Sequence, residues 1–560
     1  MKKNVCFIIL VLLSLNLWAQ NDFHFAILSD RSGGVDQKAF EMVVKDIKVF
    51  YPDFVMTVGD LADNALESEY KIAMKTMQKI KVPVYYTPGN NDVINEETRR
   101  MFSEYTQCKP YYSLDYQNTH FIVLDNSTTK NFEEMEQKQK DWLVKDLENN
   151  RDKQNIFVFM HKPFWADGIG KNNPDKMHEL FKKYKVKAVF TGHWHQYAYN
   201  KFDGISYYLL GSSGGGFGKE NIPLGKFYQF LWCKVEDDSL KTTIIKSGCT
   251  YERDLVNIEE EQLSYKIPKN HIKTKGKFSA GEQSTSLDIY VKNVTDKPLV
   301  TEAKLPSRDN WQIEQKSFSL NLQPEEIFRK KVNITLLKAY FPLPKLKLTY
   351  PFGREKQINY EESVNLTKEI KVPQLSTSPE IDGIITKNIS EKFIEINDFC
   401  SYKGEKSDIS PTQVYLGHSE KNLFLTIKAA EEEIAKIKIN NSQRDSEVYK
   451  DDSIGILFST TPDLLYQSYF NLNNTIWDLK TNLKTYQSDE NWNCDYQTAV
   501  KKYDDKWIME IKIPLHKFDF KQENSINLNL TRRQTTKSEQ GFLSPNWNYN
   551  TGQYLHLILE

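Results

Sequence analysis

Long apolar runs, paired cysteines and net charge are all scarce in this sequence. Past residue 20 no apolar stretch reaches the roughly 20 residues a helix needs to cross a bilayer, so no membrane span is expected. A formal charge of −1 leaves no field to draw in nucleic acid or an anionic membrane, and both are set aside as partners. Of the 6 cysteines, Cys6 lies in an N-terminal apolar run. The others, Cys108, Cys233, Cys249, Cys400 and Cys494, are odd in number, scattered and without a CxxC. They offer neither a metal cluster nor an obvious disulfide framework, and read as small buried hydrophobes with at most one bridge. Internal repeats and low-complexity segments are also missing.

What is present has the composition of a globular protein: 39% hydrophobic, 27% charged and 13% aromatic. A chain of 560 residues should form several domains, because single cores rarely grow past roughly 250–300 residues. Lys2 and Lys3 precede VCFIILVLLSLNL and then Trp18-Ala19-Gln20. A basic start, a short apolar core and a small residue near the cut predict an export signal over 1–20 and a periplasmic or secreted protein. Cys6 inside the apolar core speaks against a lipid anchor.

Three textures follow. Over 21–255, the strand-like runs FAIL (25–28), FVMTV (54–58), VPVYYT (82–87), FIVL (121–124), IFVFM (156–160) and AVF (188–190) alternate with amphipathic segments such as QKAFEMVVKDIKVF. That alternation predicts an α/β sandwich. Over 256–370, short alternating strands such as SLDIYVK and PLPKLKLTYPFG predict a small antiparallel sandwich, similar to immunoglobulin-like modules. Over 371–560, a third all-β region is expected. Its PEIDGII (379–385), KDDSIGILF (450–458), WIMEIKIP (507–514) and closing Arg532-Arg533 resemble family 9 carbohydrate-binding modules, which implies a possible carbohydrate ligand. Trp477, Trp492, Trp507 and Trp547 are its candidate sugar-stacking residues, although Trp507 alternates with Met509 and Ile511 and reads as core.

Every strand named in the first region except FIVL runs into residues of metal-ligand type. FAIL leads to Asp30, FVMTV to Gly59-Asp60, and VPVYYT to Gly89-Asn90-Asn91-Asp92. IFVFM leads to His161, and AVF through Thr191-Gly192 to His193-Trp194-His195. In open α/β sheets ligands bind beyond the carboxyl ends of the strands, where loops converge. A lone Gly-Asp is more often a turn and a lone histidine more often structural. On an extended run His193 and His195 would face the same way. The joint occurrence, in order and after strands, indicates a site for two cations.

Asp30, GD at 59–60, GN at 89–90, His161 and GHWH at 192–195 resemble the ordered motifs of the calcineurin-like metallophosphoesterases. The resemblance implies two β-sheets flanked by helices. It implies that Asp60 bridges two cations, with Asp30 and His195 on the first and Asn90, His161 and His193 on the second. Carboxylate, amide oxygen and imidazole together suit Mn, Fe or Zn, divalent or trivalent, without choosing among them. The implied reaction is hydrolysis of an extracellular phosphate ester, small or glycan-linked and preferably a diester, by a hydroxide bridging the cations.

Two positions depart from that family. Ser32 stands where Asp-x-His would place a ligand, which predicts one weaker cation site. Asn91 stands where the family has a histidine acting on the phosphate and the leaving group, and an amide releases no proton at neutral pH. Activity is therefore expected to be attenuated or retuned; the alternative is a catalytically weakened protein that recognises glycans through its last domain. Arg31, in a glycine-rich turn, is a candidate grip on a phosphate oxygen. Asp63, Asn64 and Asp92 are candidates for orienting the ligands or substrate, and GSSGGGFG (211–218) is a flexible loop or an anion cradle.

Overall fold

The computed structural model describes residues 22–485, 487–519, 525–545 and 551–560; the expected export signal and Trp547 lie outside the described residues. The chain divides into two compact units, Met1–Tyr265 and Lys266–Glu560.

The first unit runs β1 (Phe23–Leu28), α1 (Gln37–Phe50), β2 (Phe54–Thr57), α2 (Glu67–Met77), β3 (Val84–Tyr85), α3 (Glu96–Thr106), β4 (Tyr112–Tyr116) and β5 (Thr119–Val123). It continues with α4 (Gln137–Asn149), β6 (Asn155–Phe159), α5 (Trp165–Gly170), α6 (Lys176–Lys183), β7 (Ala188–Thr191), β8 (Ala198–Phe202) and β9 (Ile205–Leu209). The strands β10 (Phe230–Glu236), β11 (Ser239–Lys246) and β12 (Cys249–Glu252) follow, and a helix, α7 (Ile258–Lys266), comes last. These strands form two 6-stranded sheets, ordered β12-β11-β10-β1-β2-β3 and β4-β5-β6-β7-β9-β8.

Period-2 patterning assembles the layers. Phe23, Phe25 and Ile27 of β1 pack with Phe121 and Val123 of β5 and Phe157 and Phe159 of β6 in the core between the sheets. The alternate residues Ala26 and Leu28 face Phe40, Val43, Val44 and Ile47 of α1 on the outside. On the other sheet, Ile122, Ile156 and Val158 face Leu143 and Leu147 of α4. The α1 residues recur at helical spacing, each buried side chain being worth about 1.5–3 kcal/mol. Asp36 caps that helix by accepting from the Ala39 amide. The product is two sheets face to face with helices outside each.

The VPVYYT strand is shorter than expected. Only Val84 and Tyr85 pair, in parallel, with Val55 and Met56 of β2. Pro83 before them has no N–H to donate, and past Tyr85 the Thr87 amide turns to the Thr57 hydroxyl instead of a ladder carbonyl.

The second unit is all but entirely β, in sheets of 12, 5 and 4 strands. Its largest sheet runs through the position where the third region was expected to begin: Leu366–Val372 pairs with Ile272–Phe278 on one side and Leu555–Leu559 on the other. Arg532 is fully buried, giving hydrogen bonds to the carbonyls of Ser410 and Ala430. Trp507 is also fully buried, and Trp492 packs on Tyr466 and Phe518. Trp477 is half-buried against Tyr449 and Tyr469.

Candidate metal centre

Asp30, Asp60 and Asn90 follow β1, β2 and β3, which are parallel neighbours in one sheet. His161, His193 and His195 follow β6 and β7, parallel neighbours in the other. One sheet therefore brings the oxygen donors and the other the imidazoles, and they meet over the ends of both.

Asp60, His161 and His193 form one group and Asp30, Asp60 and His195 another, the donor atoms of each lying within 4.8 Å of one another. Asp60 belongs to both. His161 Nε2 lies 3.3 Å from Asp60 Oδ1, 3.1 Å from Asn90 Oδ1 and 3.2 Å from His193 Nδ1. His195 Nε2 lies 3.4 Å from Asp30 Oδ1. His161 directs its Nδ1–H outward to the Val58 carbonyl at 2.8 Å, and His195 directs its own to the Gly216 carbonyl at 2.7 Å. Each therefore keeps one proton on Nδ1 and turns Nε2 inward, the atom that offers a lone pair to a cation once the ring is neutral. Two carboxylates, an amide oxygen and three inward imidazole nitrogens fit a pair of cations of the Mn, Fe or Zn type.

The backbone is strained at the same place. Asp60, His193 and His195 have φ of 60°, 80° and 55°, left-handed values that cost of order 1–3 kcal/mol each in non-glycine residues. The reason expected for His193 and His195 acting together is thus corrected. They do not alternate along an extended strand; β7 ends at Thr191, and a left-handed turn sends one histidine to each group. Gly89 is required by close approach, since a Cβ there would overlap Asp60 Oδ1.

Asp92, fully buried, accepts from the amides of Leu61 (2.9 Å), Ala62 (2.8 Å) and Gly89 (3.0 Å), tying the Asp60 turn to the Asn90 turn. Asp63 accepts from the Gly33 amide and so holds the turn after Asp30. Asn64 does neither. It is exposed and gives its backbone and side-chain N–H groups to Glu69. Arg31 is 4% exposed, with Nη1 on the Leu61 carbonyl and Nε and Nη2 on Gln37 Oε1, so its guanidinium is held within the fold by these contacts. The glycine-rich run 211–218 also has another use. The amides of Ser213, Gly214 and Gly215 converge on the Asp30 carbonyl at 2.9–3.1 Å, so they orient a ligand residue and are not free for an anion.

Sequence reasoning passed over Asn126. FIVL does end in polar residues, Asp125-Asn126, and Asn126 Oδ1 accepts from the amides of His161 and Lys162, both at 3.0 Å. The DN pair directly after an apolar run was the available signal.

Charge in the site is strongly coupled. Burial opposes protonation of His161, but the Asp60 carboxylate outweighs it and raises the ring to about 9. Burial likewise opposes the charge on His195, but Asp30 lifts it to about 8. Burial and the neighbouring His161 charge lower His193 to about 4. Burial acts to raise Asp30, but the hydrogen bond to His195 and the imidazolium charges bring it down to about 2. Cations bind deprotonated ligands, so His161 and His195 must each release a proton when a metal enters. Affinity should therefore climb as pH rises through these two values, and metal added near pH 7 should acidify a weakly buffered solution. Indicator-dye titration measures this; binding without proton release would contradict the arrangement.

Residues 15–197 match the family model of calcineurin-like phosphoesterases. A protein of Arcobacter nitrofigilis named as a probable glycerophosphodiester phosphodiesterase GpdQ is 31% identical over 158 residues, covering 26% of this chain and 57% of that one. One of Fibrobacter succinogenes, named as a probable cyclic nucleotide phosphodiesterase, is 27% identical over 153 residues, covering 26% and 57%. The chain thus spans little more than half the length of these relatives. Among solved structures, a family 9 carbohydrate-binding module from Caldicellulosiruptor kristjanssonii in complex with glucose aligns at 14% identity and TM-score 0.26, covering 34% of this chain and 96% of that one.

Proposed function

We propose that this chain, whose N-terminal domain is a calcineurin-like phosphoesterase domain, hydrolyses phosphate esters with two bound cations and prefers diesters. The observation that carries the proposal is the convergence of Asp30, Asp60, Asn90, His161, His193 and His195 from the ends of both sheets, with Asp60 common to two donor groups. Names of phosphodiesterases among the relatives favour a diester.

Asn90, His161 and His193 would hold one cation and Asp30 and His195 the other, with Asp60 between. When bound, such cations supply Lewis acidity toward phosphoryl oxygens and make water nucleophilic at neutral pH. The chain's own task is placement. Asp92 and Asn126 fix the turns, and Val58 and Gly216 fix the ring tautomers. Asn91 holds Asp60 through its backbone N–H (2.9 Å) and its Nδ2 (2.9 Å) but has no proton to give a leaving group. Esters with leaving groups that depart as stable anions should therefore turn over best. We propose in addition that the protein is exported to the periplasm or beyond, from its basic, apolar start, and that the region 371–560 recognises a carbohydrate.

The test is removal of metal with a chelator, followed by titration with Mn²⁺ or Zn²⁺ and assay on bis(4-nitrophenyl) phosphate. Hydrolysis should vanish and return, with unequal affinities, because Ser32 gives the Asp30–His195 side one ligand fewer than a histidine there would. Two equally tight sites would contradict the role given to Ser32. A metal-loaded protein without hydrolysis would favour a binding protein instead.

A further inference from the structure

We propose that Asn91 is a positioning residue that sets which end of the Asn90 carboxamide faces the metal site. This rests on the reading of that site as cation-binding.

A carboxylate only accepts. Asn91 Nδ2 lies 2.9 Å from Asp60 Oδ2, so the nitrogen end of Asn91 must point at Asp60. Ser32 gives its own hydrogen to Asp60 Oδ2 at 3.2 Å and so accepts from Asn91 Nδ2 at 2.8 Å, which fixes the same orientation again. The oxygen end of Asn91 then faces the other way, 3.1 Å from Asn90 Nδ2. An oxygen there requires a donor, so Asn90 presents nitrogen to Asn91 and turns its Oδ1 toward His161, 3.1 Å from Nε2. Each step leaves one choice, and the last puts an amide lone pair beside His161.

This matters because the two ends of an asparagine have nearly the same shape. Without a partner of fixed polarity, Asn90 could rotate and place two N–H donors where a cation needs an oxygen. Asn91 removes that state. The residue at 91 must donate at one end and accept at the other, and Ser32 must be small and able to accept. The two departures from the family pattern are thereby one hydrogen-bonded unit.

The experiment is calorimetric titration of the full chain with Mn²⁺, comparing wild type, Asn91→Ala, Asn90→Ala, the double variant and Asn91→His. Asn91→Leu, close in size but with neither donor nor acceptor, is carried as a second variant in case Asn91→Ala does not fold. Asn91→Ala should weaken the tighter site about 10–100-fold, the usual effect of removing a group that orients a metal ligand, while the metal-free melting temperature stays put. In the Asn90→Ala background the same change should cost clearly less than in wild type, because the group it orients is gone and only its hold on Asp60 remains to be lost. Asn91→His should restore most of the affinity, since a neutral imidazole also has one donor and one acceptor. Wild-type affinity in Asn91→Ala, or an equal further loss on the Asn90→Ala background, would overturn the relay while leaving the site intact. A wild-type protein that binds no Mn²⁺ would overturn the underlying reading and the relay with it.

Discussion

Asp60→Asn should remove both cations at once. Asp60 is the one side chain common to the two donor groups, and its oxygens also hold Asn91 and approach His161. Metal analysis of the purified variant should show both sites depleted. The kcat/KM on an activated aryl diester should fall at least about a thousandfold, equivalent to about 4 kcal/mol of transition-state stabilisation. Asparagine is the informative choice because it keeps the volume of a residue 1% exposed and tolerates the left-handed backbone at φ 60°. The metal-free variant loses the attraction between Asp60 and the His161 imidazolium but should still fold. Asp92 is pushed up to about 7 by burial and then by the Asp60 charge, so removing that charge relieves a repulsion. Loss of a single cation, with turnover kept within tenfold, would mean that Asp60 does not bridge.

The second large effect is a gain. Asn91→His puts a titratable ring where an amide stands, above Asp60 and beside Ser32. General acid assistance is typically worth about 10²–10⁴ in rate, about 3–5 kcal/mol. The gain should appear in kcat for diesters of alkyl alcohols, whose leaving oxygen needs a proton, and not for 4-nitrophenyl esters. A new limb near the imidazole pKa should enter the pH–rate profile of the alkyl substrate alone. An equal effect on both substrates, or none on either, would show that proton delivery is not what position 91 lacks.

Much of this was legible in the residues because it is local. QKAFEMVVKDIKVF carries its apolar residues at helical spacing and is α1 from end to end. The strands of the first region carry apolar residues on both faces, as a sheet sandwiched between a second sheet and helices requires. Ligands at strand ends were visible for the same reason: strand, glycine and polar residue are neighbours in sequence.

What stayed hidden depends on distant partners. Nothing around Arg31 announces that its guanidinium is held by Gln37 and the Leu61 carbonyl. The convergence of residues 213–215 on Asp30 spans more than 180 positions. The pairing of Glu369 with His556, which carries the large sheet past residue 370, leaves no local trace at all. Asn126 is the intermediate case, since its DN was in plain view but its purpose lies 35 residues on, at His161.

The most direct measurement is anomalous diffraction at the manganese edge from crystals of the full chain soaked in Mn²⁺. Two peaks should flank the Asp60 carboxylate, the stronger bounded by Asn90 Oδ1, His161 and His193 and the weaker by Asp30 and His195. A single peak that Asp60 does not touch, or His161 and His193 on different cations, would contradict the account.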